Sequence, residues 1–223
     1  MGKRESKPAP SQSAEEAWLA SLDARITAQT RGEKKSQDKQ KAAEARIKHA
    51  PVVIVPRPHP ATLAIDDLLR QCTIGKSRSG GPGGQNRNKV ETTVTLTHEP
   101  SGIEAHAGER RTSMENRRMA ISRLRLALAV QARCSVPTGD ARSDLWKSRC
   151  RHERIVIATT HEDFPAILGE ALDFIFACNL DVKLAAARLC CSTSQLVKLL
   201  KDHPPALVWL NALRAAEGMR ELK

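Results

Sequence analysis

The chain has 223 residues, of which 36 are Lys or Arg and 25 are Asp or Glu, giving a net charge of +11. That length suggests one or two domains, and the charge points to polyanionic partners without specifying a fold. Aromatic residues make up only 3%, with three Trp, three Phe and no Tyr, too few for a sheet that stacks bases on Phe and Tyr. No apolar run approaches the roughly 20 residues of a membrane span. The opening Met1-Gly-Lys-Arg-Glu5 also lacks the apolar stretch of a secretory leader. A soluble, cytoplasmic protein without membrane partners is the expectation. The six cysteines include no Cys-x-x-Cys pair, and Cys150-x-His152 with His161 is the nearest approach to metal-ligand spacing. Neither a metal nor a cofactor is expected.

Basic charge is concentrated toward the first 161 residues, because residues 162–223 carry 7 basic and 8 acidic side chains. Residues 1–61 read as a basic N-terminal arm, largely disordered or helical, ending in a Pro-rich linker. Ser13 and Glu16 have capping-box spacing, and Trp18, Leu22 and Ile26 recur on one helical face. Residues 31–49 have no apolar stripe and read as a solvated arm. Pro51, Pro56, Pro58 and Pro60 enclose the short apolar run Val52–Val55, an extended linker or edge segment.

From residue 62 a compact α+β unit is expected, extending to residue 135. Thr62–Gln71 reads as a short helix, with an extended piece near Cys72–Gly75. Val90–Thr97 alternates with β-branched residues and reads as a strand; Pro100–Gly102 is a turn and Ile103–Ala107 a second strand, giving an antiparallel hairpin. Thr112 or Ser113 can cap a helix to about Val130, with Ile121, Leu124 and Leu128 on one face and Arg118 and Arg125 on another. Residues 136–161 read as a linker with a strand or extended connector at Arg154–Ala158. Residues 162–223 read as an all-α bundle. Asp163–Cys178 is its first helix, Val182–Leu189 and Ser192–Lys201 have helix-turn-helix spacing, and Pro204-Pro205 start the last helix.

The most unusual local sequence is Arg78-Ser-Gly-Gly-Pro-Gly-Gly-Gln85, succeeded by Asn86-Arg-Asn-Lys89. Its glycines let backbone approach a ligand without Cβ obstruction. It lacks the Lys-Ser/Thr of a Walker loop and does not complete a dinucleotide fingerprint. Gly83-Gly84-Gln85 in this setting resembles the GGQ motif of class I peptide chain release factors and of related codon-independent ribosome-rescue hydrolases. The resemblance extends through Asn88-Lys89, through Val94-x-Leu96-Thr97-His98-x-Pro100-x-Gly102-Ile103, and through Arg111-Thr112, Asn116-Arg117 and Ala120. It covers about residues 65–131. Departures are Arg87 where Val is usual, Ser113 where Gln is usual and Gly80 where Ser is common.

The resemblance implies hydrolysis of the ester joining a nascent peptide to tRNA, in the peptidyl transferase centre of the large ribosomal subunit. It assigns water positioning to Gln85, with the Gln85 N–H as an oxyanion donor, and backbone placement to Gly83 and Gly84. An acyl transition state needs a donor aimed at developing negative charge. Arg78, Arg87, Asn88 and Lys89 are then RNA contacts, joined by Arg118 and Arg125. Gln85 becomes a candidate for N5-methylation by a dedicated glutamine methyltransferase. Ribosomal RNA and peptidyl-tRNA are the implied partners, and a monomer is expected. Stop-codon readers of this family carry a large decoding β-domain and a long helical N-terminal domain. With 82 residues ahead of Gly83 and no counterpart of the decoder in 62–223, codon-independent rescue of stalled ribosomes is the expected subtype. The arm at 31–48 is the candidate anchor to rRNA. The alternative is an RNA- or DNA-binding helix-turn-helix protein that retains a non-catalytic GGQ-like loop. Lys183, Arg188, Lys198 and Lys201 give residues 183–201 a net charge of +4 within a slightly acidic bundle. A packing unit, an RNA or ribosome dock and a DNA reader all stay open there.

Overall fold

The computed structural model describes residues 50–78 and 91–223. The basic arm, with its Trp18, Leu22 and Ile26 stripe, lies outside them. The described chain enters on β1 (Val53–Ile54), which pairs in parallel with β5 (Ala132–Arg133). The Pro-flanked run is therefore an edge strand, and Val55 is buried beneath it. A 3-10 turn (Pro60–Thr62) and α1 (Ile65–Arg70) lead into β2 (Cys72–Ser77). β3 (Thr93–His98) and β4 (Ile103–Ala107) complete a three-stranded antiparallel sheet in the order β2-β3-β4.

The alternation anticipated from sequence decides which face of this sheet is covered. Val94, Leu96 and His98 of β3 and Ile103, Ala105 and Ala107 of β4 are buried, while Glu104 and His106 face solvent. The 19-residue α2 (Ser113–Gln131) lies across the buried face with Ala120, Leu124 and Leu128 in one i, i+4 row. Thr112 caps it: its hydroxyl accepts the Glu115 N–H at 3.2 Å and donates to the Glu115 carboxylate at 2.7 Å.

Residues 136–161 hold more structure than a linker. Ser143 caps α3 (Asp144–Arg149), and a tight hairpin comes next, β6 (Cys150–Arg151) with β7 (Arg154–Ile155). Trp146 is 1% exposed, and its indole N–H donates to the Leu189 carbonyl at 2.9 Å. One buried Trp anchors the segment, too sparse a signal for periodicity to register. α4 (Phe164–Ala177) is apolar almost all round and buried along most of its length, packing against α2. α5 (Val182–Arg188) and α6 (Thr193–Lys201) form the anticipated helix-turn-helix, capped by Asp181 and Ser192, with Cys190 at φ +51° in the turn. α7 (Pro204–Ala216) starts on its two prolines.

Sheet, α2 and bundle share one apolar cluster running from Val55 to Leu210. At its centre lies a fully buried charge. Arg133 donates to Asp173 Oδ1 at 3.1 Å, to the Gly169 carbonyl at 3.3 Å and to the Ala129 carbonyl, and its guanidinium lies 5.4 Å from the Trp209 ring centroid. Asp173 also accepts the Cys134 N–H at 3.0 Å. Burial pushes the Asp173 carboxyl up and the Arg133 guanidinium down, against their mutual attraction. His59 is packed beside them. Its Nε2 donates to the Ala132 carbonyl and its Nδ1 accepts the Ala61 N–H, each at 3.1 Å, which fixes a neutral tautomer. Gly169 makes room for this ring, since a Cβ there would sit 3.0 Å from His59 Cε1.

Arg133→Met leaves Asp173 buried without its cation and lowers unfolding free energy by about 3–5 kcal/mol. Adding Asp173→Leu restores much of that loss, both read by urea denaturation. Burial, and secondarily the Arg133 charge, hold His59 at a pKa of about 3, against 6.5 when exposed. The unfolded chain takes a proton that the folded chain refuses, so His59 contributes stability above pH 6.5 that fades as pH falls toward about 3. Thermal melts of His59→Gln should show a lower midpoint at neutral pH and a shallower decline across that window than the native chain.

Candidate active site

The Gly-rich segment is the connection between β2 and β3. Its residues Gly83, Gly84, Gln85, Arg87, Asn88 and Lys89 lie outside the described residues. What the structure describes is how the segment is held. Ser77 pairs with Thr93 and Lys76 with Val94, so the chain leaves and re-enters the sheet at directly opposed positions. Val94 in turn pairs with Ala107. The end of β2, the start of β3, the end of β4 and the start of α2 therefore meet at one edge of the domain.

The returning foot is pinned by a buried amide. Asn116, 0% exposed in the first turn of α2, donates from Nδ2 to the Thr92 carbonyl at 2.7 Å and to the Arg110 carbonyl at 3.0 Å. Its Oδ1 accepts the Arg110 N–H at 2.9 Å. One side chain thus locks the loop's return and the β4–α2 turn to the helix. Gly108 fits the same junction closely, as a Cβ there would fall 2.5 Å from Thr93 Oγ1. Glu109 and Arg123 close the turn with an ion pair at 2.7 Å, and Arg123 also donates to the His106 carbonyl at 2.8 Å. The Arg123 hydrogen bond holds the Glu109 carboxyl below its usual range. At the far end of the sheet His98 is buried, hydrogen-bonded to Ser101 Oγ at 2.7 Å and Gln71 Oε1 at 3.0 Å.

Asn116 could have been found from sequence. It falls on the row of Ala120, Leu124 and Leu128, and a polar residue on an apolar stripe implies buried partners. Around the loop's feet, Lys76, Arg78, Arg110, Arg111, Arg117 and Arg118 are exposed, and like charges gathered at one edge raise the local potential for a polyanion. Of the anticipated RNA contacts, Arg78 stands one residue beyond β2 and Arg118 faces solvent. Arg125 does not share that situation. Half-buried, it donates to the Ala61 carbonyl at 3.0 Å, and burial lowers its pKa. Helix periodicity put Arg118 and Arg125 on one face, but only the second half of α2 is overlaid by the 3-10 turn. Among the described residues no group of three or more His, Cys, Asp or Glu side chains could hold a metal ion. Cys150 Sγ instead lies 3.5 Å from the Cys190 carbonyl, and His161 packs against Arg149. No helix of the described residues is long and apolar enough to cross a membrane.

Three antiparallel strands backed by one helix, with exposed cations at the edge where β2 and β3 are joined, make an α+β domain. Residues 64–155 match the family model described as RF-1 domain. Over 141 residues the chain is 36% identical to peptide chain release factor 1 of Chlorobaculum tepidum, covering 56% of this chain and 38% of that one. It is 55% identical over 51 residues to peptide chain release factor 1 of Chloroherpeton thalassium, covering 23% and 14%. To the chloroplastic peptide chain release factor PrfB1 of Arabidopsis thaliana it is 39% identical over 85 residues, covering 35% and 19%. Residues 64–155 therefore make an RF-1 domain similar to that of peptide chain release factors. The chain spans less than two fifths of the length of these relatives.

Asn116→Ala strands the Thr92 carbonyl and both polar groups of Arg110. Stability should fall by about 2–3 kcal/mol, and amide exchange at Arg110 should accelerate well beyond the change in global unfolding, as read by hydrogen-exchange mass spectrometry.

Proposed function

We propose that this chain hydrolyses peptidyl-tRNA on the ribosome, acting without a stop codon on stalled complexes. The observation that carries this reading is Gly83-Gly84-Gln85 within an RF-1 domain match, in a connection whose feet are fixed by strand pairing and by Asn116. A loop with a rigid base and a glycine-rich tip can be carried into a narrow RNA site and still bring main chain against an ester. Gln85 positions a water whose oxygen attacks the ester carbonyl carbon. The Gln85 N–H donates to the developing oxyanion. The carbon–oxygen bond to the ribose then breaks, leaving a peptide acid and a tRNA hydroxyl. Gly83 and Gly84 leave the approach free of Cβ atoms.

Arg78, Arg87, Asn88, Lys89 and Arg118 contact RNA phosphates in this scheme, and Arg110, Arg111 and Arg117 widen the same cationic edge. Arg125 supports the helix from within. Codon independence is supported by the architecture C-terminal to the domain, a helical bundle rather than a β-domain of the decoding kind. N5-methylation of Gln85 by a glutamine methyltransferase belongs to the same proposal.

The test is peptide release from purified ribosomes stalled with peptidyl-tRNA in the P site and no codon in the A site. The native chain should release peptide, and Gln85→Ala or Gly84→Ala should slow release by about 100-fold or more, the scale of losing an oxyanion donor. Absence of release by native protein methylated at Gln85 defeats the proposal, and release that requires a stop codon in the A site defeats its codon-independent part.

A further inference from the structure

The second helix of the helix-turn-helix has an outward face with a defined chemistry that the hydrolytic reading does not use. α6 buries Leu196, Leu199 and Leu200 and turns Ser194, Lys198 and Lys201 to solvent. Along this face runs a depression of about 380 Å³ lined by Thr193, Ser194, Val197, Lys198, Lys201 and Lys223. Three ammonium groups and two hydroxyls line it, with no carboxylate side chain. Across the helix Lys198 also borders a smaller hollow that includes Gln195 and Asp202.

Two of the bundle's other cations are directed inward. Arg188 donates to the Pro137 carbonyl at 3.0 Å and lies over the Phe174 ring, and Arg214 donates to the Leu180 and Arg220 carbonyls. These arginines turn inward while Lys198 and Lys201 turn outward, so a region of net charge −1 still presents one positive face.

We propose that this face of α6 docks on the phosphate backbone of double-helical RNA. Ammonium groups on flexible stems suit phosphates as point charges, and such contacts position a protein without reading sequence. Base readout in a DNA major groove calls for Arg, Asn or Gln on the exposed face of the helix. The outward face of α6 offers lysines and hydroxyls instead. Its one amide, Gln195, is half-buried and accepts the Ile155 N–H on Oε1 at 3.4 Å. Thr193 and Ser194 hydroxyls, each able to donate and accept, match the ribose 2′-hydroxyl that distinguishes RNA. They sit in the first turn of α6, where the helix dipole favours an anion.

The experiment uses the full chain, a blunt RNA duplex of about 16 base pairs, and a DNA duplex of the same sequence. Lysine reactivity toward an amine-labelling reagent is mapped by mass spectrometry with and without saturating RNA. Lys198 and Lys201 should be protected in the complex, which locates the contact even though other basic segments also bind RNA. Lys198→Glu/Lys201→Glu should weaken RNA binding at least tenfold and flatten its salt dependence by roughly one logarithmic unit per lost contact. The proposal is overturned if the native chain does not bind the RNA duplex or binds the DNA duplex as tightly. It is equally overturned if Lys198 and Lys201 stay reactive in the complex, whatever the variant does. No ribosome or loop chemistry enters the assay, so failure of peptide release leaves its outcome unaffected.

Discussion

Arg133 is the interaction on which the arrangement of elements depends. A guanidinium with no exposed surface carries a large desolvation cost, and it persists because three elements answer it. The end of α2 supplies the Ala129 carbonyl, α4 supplies the Gly169 carbonyl and the Asp173 carboxylate, α7 supplies the Trp209 ring, and β5 carries the residue itself. Remove the cation and a buried carboxylate is left at the junction of sheet domain and bundle. His59, neutral and wedged against Gly169, closes the same junction from the side of β1.

α2 transmits this fixation to the loop. Its last turn is held by the Arg133 cluster, and its first turn carries Asn116, which grips Thr92 and the turn at Arg110. Between them a single row of Ala120, Leu124 and Leu128 is pressed on the sheet. A helix anchored at both ends is a stiff support for the two strand ends that the Gly-rich segment joins.

Not every cation faces solvent. Arg125, Arg133, Arg188 and Arg214 point into the protein and bind carbonyls, whereas Lys76, Lys198 and Lys201 are exposed. Guanidinium forks can satisfy several carbonyls at once in a way that ammonium groups do not. Exposed cations include a group at the feet of the loop and another on the face of α6.

Local pattern was enough for much of this. Alternating Thr and apolar residues determined β3 and its buried face. Thr112, Asp181 and Ser192 determined where helices begin, and the run from Gly83 to Ala120 carried the resemblance to release factors, because these signals act over a few residues and need no distant partner. Tertiary structure alone decided the rest. Arg133 and Arg118 are indistinguishable in a count of charges, yet one is sealed in the core and the other is solvated. Trp146 gave no periodic signal, since its partner Leu189 lies 43 residues away. Arg125 is half-buried and bonded to the Ala61 carbonyl only because the 3-10 turn at Pro60–Thr62 packs against α2. Burial and hydrogen-bond satisfaction are properties of what packs against a residue, and that is settled by contacts distant in sequence.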